Sequence, residues 1–226
     1  MSDKDRNPDI SESLMITLTD SVKDLGIDLG QLLLNDLLED TLNSTLSELP
    51  IVKSLYTLGK AGLVIRDYFF LKKFLRFLAG FQSADDELKM RHKQAIYEPK
   101  LRKEIAEHLT NTLDRLDQLN KTEALFKIYS AYLKQKISHK EFLGYSFALL
   151  KIDFDNIEVL QQFYCQEESV DKDEYDIEGH LKNYSLNNFA FAGLLGIGGQ
   201  GLILGGFIGF SKNAFGENFL KILNLL

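Results

Sequence analysis

The side chains best suited to metal or nucleophilic chemistry are few: His92, His108, His139, His180 and a single cysteine, Cys165. A zinc site needs several nitrogen or sulfur ligands at short, defined spacings, and no two of these five stand so. A surface histidine or a partly buried thiol is the simpler reading of each. Gly196, Gly198 and Gly201 match G-x-G-x-x-G, a loop that can cradle a dinucleotide phosphate. That chemistry needs a strand before the glycines, a helix after them and a second parallel strand beyond. Only 25 residues follow Gly201, and eight glycines crowd residues 189–210, so the match is a by-product of composition. "YLKQKISHKEF" has the outline of a calcium loop if Glu141 takes position 12. Ser130, Tyr132 and Lys134 then fall at positions 1, 3 and 5, with Gln135 where glycine belongs. Calcium wants oxygen ligands there, and a ring and an ammonium do not serve. There is no nucleophile elbow, P-loop or zinc-protease helix motif either. The chain reads as non-enzymatic, with no catalytic, cofactor-binding or metal residues.

The elements that would position a binding site are helical. At 226 residues and 45% hydrophobic content, the chain can bury a substantial core. One cysteine permits no internal disulfide, and the polar opening "MSDKDRNPDISES" is no signal peptide, so a cytoplasmic location is expected. Residues 1–47 hold ten acids against three bases, whereas 48–81 hold six bases against two acids. Packing of the two segments near each other explains this most simply, with a solvated face as the alternative.

Residues 1–9 are expected to be disordered. A helical body follows over 10–165, with Leu32, Leu33, Leu37, Leu38 and Leu42 on one stripe and breaks at Gly26 and Gly30. Pro50 suits a first helical turn, and 51–81 is apolar on more than one face, as a central helix or helix pair would be. After Pro99, Ile105, Leu109, Leu113 and Leu116 form another stripe; Leu125, Ile128, Tyr129, Tyr132 and Leu133 form a third. Ser138 with Glu141 and Asp155 with Glu158 predict capping boxes for helices near 139–151 and 156–165. Residues 166–179 carry seven acids and one lysine and read as an acidic linker to a C-terminal module over 180–226.

Within that module, "GLLGIGGQGLILGGFIGF" supports two structures. No charge lies between Lys182 and Lys212, and residues 189–210 as a helix would reach across ~30 Å of hydrocarbon. Gly201, Gly205 and Gly209 would then form a close-packing face. Four glycines within "GIGGQG" oppose that helix, each by about 1 kcal/mol relative to alanine. A hairpin uses them better, followed by a closing helix with Asn213 as N-cap. The expected fold is mostly α: a multi-helix body followed by a small helix–β-hairpin–helix, winged-helix-like module.

The string "ELPIVKSLYTLGKAGLVIRDYFFLKKFLRFL" resembles a group of largely uncharacterised bacterial proteins. The resemblance rests on Pro50-Ile51-Val52, Gly59, Gly62, Ile65-Arg66-Asp67 and Phe70 to Leu75, and continues through "LDRLDQLNKTEALFKIYSAYLKQKISHKEF". "FSKNAFGENFLKIL" is similar to the end of a winged helix, although Lys212 replaces a leucine and Asn213 a threonine of that pattern. The resemblance implies no catalytic residues; some such proteins are similar to accessory genes of phage-defence or mobile-element loci.

Two roles follow. The first is a regulatory or scaffolding protein that contacts another protein or itself. DNA is disfavoured, because phosphate contacts need Lys and Arg and residues 177–226 hold only Lys182, Lys212 and Lys221. The second is a membrane-acting defence effector at the inner membrane. It would insert 189–210 and dock on anionic lipid through Lys60, Arg66, Lys72, Lys73 and Arg76. Against docking, so apolar a segment reads first as core, its lysines reaching out at the rim.

Overall fold

A computed structural model describes residues 10–24, 49–58, 65–166, 177–198 and 209–226. Among them the chain is mostly helical, with one two-stranded antiparallel sheet. The helices are α1 (Ile10–Asp24), α2 (Pro50–Leu58), α3 (Ile65–Gln82), α4 (Asp86–Ala95), α5 (Pro99–Arg115) and α6 (Asn120–Leu133). They continue as α7 (His139–Lys151), α8 (Ile157–Cys165), α9 (Ile177–Phe191) and α10 (Ala214–Leu223). Strands β1 (Gly196–Gly198) and β2 (Gly209–Ser211) lie between α9 and α10.

Contacts divide the chain into two compact units: residues 1–126 with 132–136, and residues 127–131 with 137–226. Helices α7 and α8 thus group with the C-terminal segment; the sequence places the acidic linker at 166–179. Most of that stretch lies outside the described residues, as do 1–9, the leucine stripe at 32–42, and Gly59, Lys60 and Gly62.

In the first unit, α1 packs on α2 and α5. Leu14, Met15 and Leu18 of α1 are fully buried, as are Ile51 and Val52 of α2. A hydroxyl relay runs through this apolar contact. Pro50 opens α2 where no donor is needed, and the next amide, Ile51 N–H, donates to Thr17 Oγ1 at 3.1 Å. Thr17 donates to the Ser13 carbonyl at 2.7 Å, and the Ser13 and Ser54 hydroxyls are 2.5 Å apart. Helix α1 therefore supplies an orphan amide of α2 with a buried partner.

Helix α3 is buried on several sides, as its composition predicts: Phe70, Leu71, Phe74, Leu75, Phe77, Leu78 and Phe81 are all inside. Phe126 sits edge-on to Phe77 and Phe81, at 5.6 and 5.0 Å between ring centres. Gly80 makes room for it, since a Cβ there would lie 2.5 Å from the Phe126 ring. His92 of α4 is buried 4.8 Å from the Phe81 ring. Burial, helped by Lys93, pushes its imidazole pKa down to about 4.

Pro99 stands at the start of α5, and Ile105, Leu109 and Leu113 face the core with Leu116 just beyond. On α6, Leu125, Ile128, Tyr129 and Leu133 are buried and Tyr132 is half-buried. The Ser138–Glu141 capping box is present and α7 spans the expected residues. The expected Asp155–Glu158 box is absent. Residues Phe154–Asn156 form a 3₁₀ turn, and Asp153 holds it, accepting from Asp155 N–H at 3.2 Å and Asn156 Nδ2 at 2.7 Å. Asp155 thus lies inside a turn rather than at a cap, and α8 starts after Asn156 with no side-chain cap.

Candidate interaction site

The C-terminal helix, hairpin and helix are built around one tyrosine. Helix α9 stops where Gly193 takes φ +81°, a conformation side chains other than glycine's resist. Gly193 N–H returns to the Ala190 carbonyl and Leu194 N–H to the Phe189 carbonyl, both at 2.9 Å, which closes a Schellman end. The chain then enters β1, whose Gly196, Ile197 and Gly198 pair with Ser211, Phe210 and Gly209 of β2. Asn213 caps α10 as expected, its Oδ1 accepting from Gly216 N–H at 2.7 Å. Its Nδ2 donates to the Gly193 carbonyl at 3.1 Å and so ties the two ends of the hairpin.

Tyr164 of α8 reaches into this junction. Its hydroxyl donates to the Leu194 carbonyl at 2.7 Å and accepts from Asn213 N–H at 3.0 Å. Burial raises its pKa, so it stays a protonated donor. Gly216 lets α10 approach: a Cβ there would sit 1.9 Å from the Leu194 oxygen and 2.3 Å from the Tyr164 hydroxyl. Phe215 stacks on Tyr145 at 4.3 Å between ring centres. Burial, then the charge of Glu141, pushes the Tyr145 phenol up to about 12. At the far end, Asn224 adopts φ 58° and Lys127 donates to the Leu223 carbonyl at 2.7 Å.

A module so firmly held still leaves large apolar groups in water. Phe191 is 81% exposed, Tyr184 on the same helix 67%, and Ile197 of β1 59%. Phe147 of α7 is also exposed, with Lys151 Nζ 5.3 Å from its ring centre. Tyr184 and Phe191 are seven residues apart on α9 and share a face.

Helix α9 ends at Phe191 and residues 196–198 pair with 209–211, so 189–210 is not one helix. Gly209 lies opposite Gly198 in the ladder, and Gly201 and Gly205 fall outside the described residues. Among the described residues, no helix is long and apolar enough to cross a membrane.

The basic residues of α3 hold the end of α5. Lys73 is buried and donates to the Asp114 and Leu116 carbonyls at 2.9 and 2.8 Å, where the helix dipole favours a cation. Burial lowers its pKa, and Asp114 and Asp117 oppose that shift. Arg66, 76% exposed, pairs with Asp114 through Nε at 3.1 Å and through Nη2. Arg76 pairs with Glu123, and Lys72 is buried. Arg66 and Arg76 thus pair with acids on α5 and α6, while the described part of 1–47, helix α1, packs on α2 and α3 and its Glu12 stands 3.7 Å from Arg102.

Among the described residues no group of three or more His, Cys, Asp or Glu side chains could hold a metal ion, and Cys165 is exposed. The sequence marks Asn213 as a cap but neither Tyr164 nor Gly216, and its periodicity does not separate Tyr184 and Phe191 from the core. Helix α9 carries Tyr184, Phe189 and Phe191, of which only Phe189 is buried. In comparisons with known proteins, no protein-family model, curated protein or solved structure matches this chain.

Proposed function

We propose that the protein is non-enzymatic and acts by contact with another protein, through the apolar face of its C-terminal module. The observation that carries this reading is the exposure of Phe191 and Tyr184 on a helix whose end is fixed by the Gly193 turn. Aromatic side chains in water on a rigid support are what protein interfaces use as anchors. Charge favours protein over DNA as the partner. Lys221 pairs with Glu217, Lys212 donates to the Gln166 carbonyl at 2.7 Å, and Lys182 is half-buried. On this reading the helix–hairpin–helix is a winged-helix-like fold put to protein contact, in a regulatory or scaffolding role accessory to phage defence.

The mass of the native assembly in a gently lysed cell extract tests it. The wild type should migrate well above the 25.8 kDa of one chain, and Tyr184→Ser with Phe191→Ser should return it to that mass. Migration of the wild type at the single-chain mass, or a variant that leaves the assembly intact, overturns the proposal. Recovery of the wild type in the membrane pellet would instead favour the effector role, with 189–210 refolding on insertion.

A further inference from the structure

The exposed aromatic groups of the second unit form a row that two helices share. On α7, Leu143 and Phe147 are one turn apart on a common face, 36% and 53% exposed. On α9, Tyr184 and Phe191 share a face with Asn188, which lies between them in the chain. Asn188 joins the two faces. Its Oδ1 accepts from Asp153 N–H at 2.9 Å, and its Nδ2 donates to the carbonyl of Lys151, the last residue of α7, at 3.1 Å.

Area and charge both bear on what covers this face. At about 200 Å² per aromatic side chain, Phe147, Tyr184 and Phe191 leave about 400 Å² of apolar surface in water. Leu143 and Ile197 enlarge it. One chain of a standard-size homodimer buries about 800 Å², about two-thirds of it apolar, so the face has the size of the core of such an interface. The one charged group among these side chains, Lys151, holds its Nζ 5.3 Å from the Phe147 ring centre. A partner selected by charge would find little here to pair with, whereas a surface of the same kind would fit.

The spacing on α9 is self-complementary. Tyr184 and Phe191 stand two turns, about 10 Å, apart along the helix. A two-fold axis through the midpoint, at Asn187 and Asn188, sets α9 antiparallel to its copy. Tyr184 of each chain then meets Phe191 of the partner subunit, and the same contact is made twice.

We infer that the partner at this face is a second copy of the chain, paired through α9 about a two-fold axis at Asn187 and Asn188; this rests on the protein contact proposed above.

Sedimentation velocity of the purified full chain at micromolar concentration tests it. Wild type should sediment as a dimer, twice 25.8 kDa, and Phe191→Lys as a single chain. A lysine suits the negative end of the α9 dipole, and the phenylalanine it replaces is 81% exposed, so the circular dichroism spectrum should not change. Disulfide trapping checks the axis, in a Cys165→Ser background because Cys165 is itself exposed. Under mild oxidation, Tyr184→Cys mixed with Phe191→Cys should give a crosslinked dimer, and neither variant alone should. A dimeric Phe191→Lys, or crosslinking of either cysteine variant alone as readily as the mixture, would overturn the pairing. A purified wild type that stays single while the cell extract holds a larger assembly would overturn self-pairing and leave contact with a different protein. Single-chain mass in both preparations would remove both readings.

Discussion

Replacing Gly216 with alanine tests the junction on which the C-terminal module hangs. The new Cβ would meet the Leu194 carbonyl oxygen at 1.9 Å, the Tyr164 hydroxyl at 2.3 Å and the Leu194 carbonyl carbon at 2.9 Å. Two of these are backbone atoms in a turn fixed by the Schellman bonds, so they have no rotamer by which to retreat. Relief requires α10 to move off the turn. That movement strains the Tyr164 bonds to Leu194 and Asn213 and the Asn213 bond to Gly193. Overpacking of this kind costs about 1–3 kcal/mol, and each weakened buried hydrogen bond adds about 0.5–1.5 kcal/mol. Alanine recovers at most about 1 kcal/mol of helix propensity. The expected net loss is about 2–4 kcal/mol in urea unfolding followed by far-ultraviolet circular dichroism. Tyr164→Phe alone should cost about 1–3 kcal/mol, because it leaves the Leu194 carbonyl and Asn213 amide without that partner. The double variant should lose less than the sum, since removing the hydroxyl also removes one of the clashes. A neutral or stabilising Gly216→Ala, or strict additivity with Tyr164→Phe, would refute the close approach of α10 to the Leu194 turn.

Three further outcomes concern the first unit and residues 166–179. The folded pKa of His92, about 4, lies below its unfolded value of 6.5, so between these pH values the unfolded chain takes the proton and the folded chain does not. Stability should fall by about 3 kcal/mol as the pH drops through that window, and His92→Gln should remove that part of the slope in pH-dependent urea titrations. Lys73→Met should destabilise the unit by about 1–3 kcal/mol by stripping the cation from the end of α5, and a change within about 0.5 kcal/mol would show the contact to be idle. Limited trypsin or Glu-C digestion should cut first within 166–179, where seven acids leave little to bury; first cleavage within α3 would contradict the buried position given to that helix.

What the sequence disclosed followed from local rules. Proline at a helix start, the Ser138–Glu141 spacing and Asn213 before "AFGENF" each satisfy a terminus with neighbours in the chain, so α2, α5, α7 and α10 were readable. The hairpin was readable for a similar reason, because clustered glycines weaken a helix wherever it packs. The same rules misplaced the cap near 155, since a 3₁₀ turn held by Asp153 presents the same spacing of acids as a capping box. The role of the α3 cations was hidden for a different reason. Asp114 is 48 residues from Arg66 and Glu123 is 47 from Arg76, and no periodicity links them. Tyr164 reaches Asn213 across 49 residues, and Gly216 matters only through the Leu194 carbonyl it admits. Contacts of that range arise from packing, and a pattern along the chain does not encode them individually.

A photo-crosslinking residue placed at Phe191 in living cells, with Lys140 as an exposed control, tests the proposed protein contact of the exposed aromatic face of the C-terminal module. Irradiation should give one discrete protein adduct from position 191 and none from position 140, and Tyr184→Ser should diminish it. Lipid adducts from position 191, or the same diffuse products from both positions, would contradict the account.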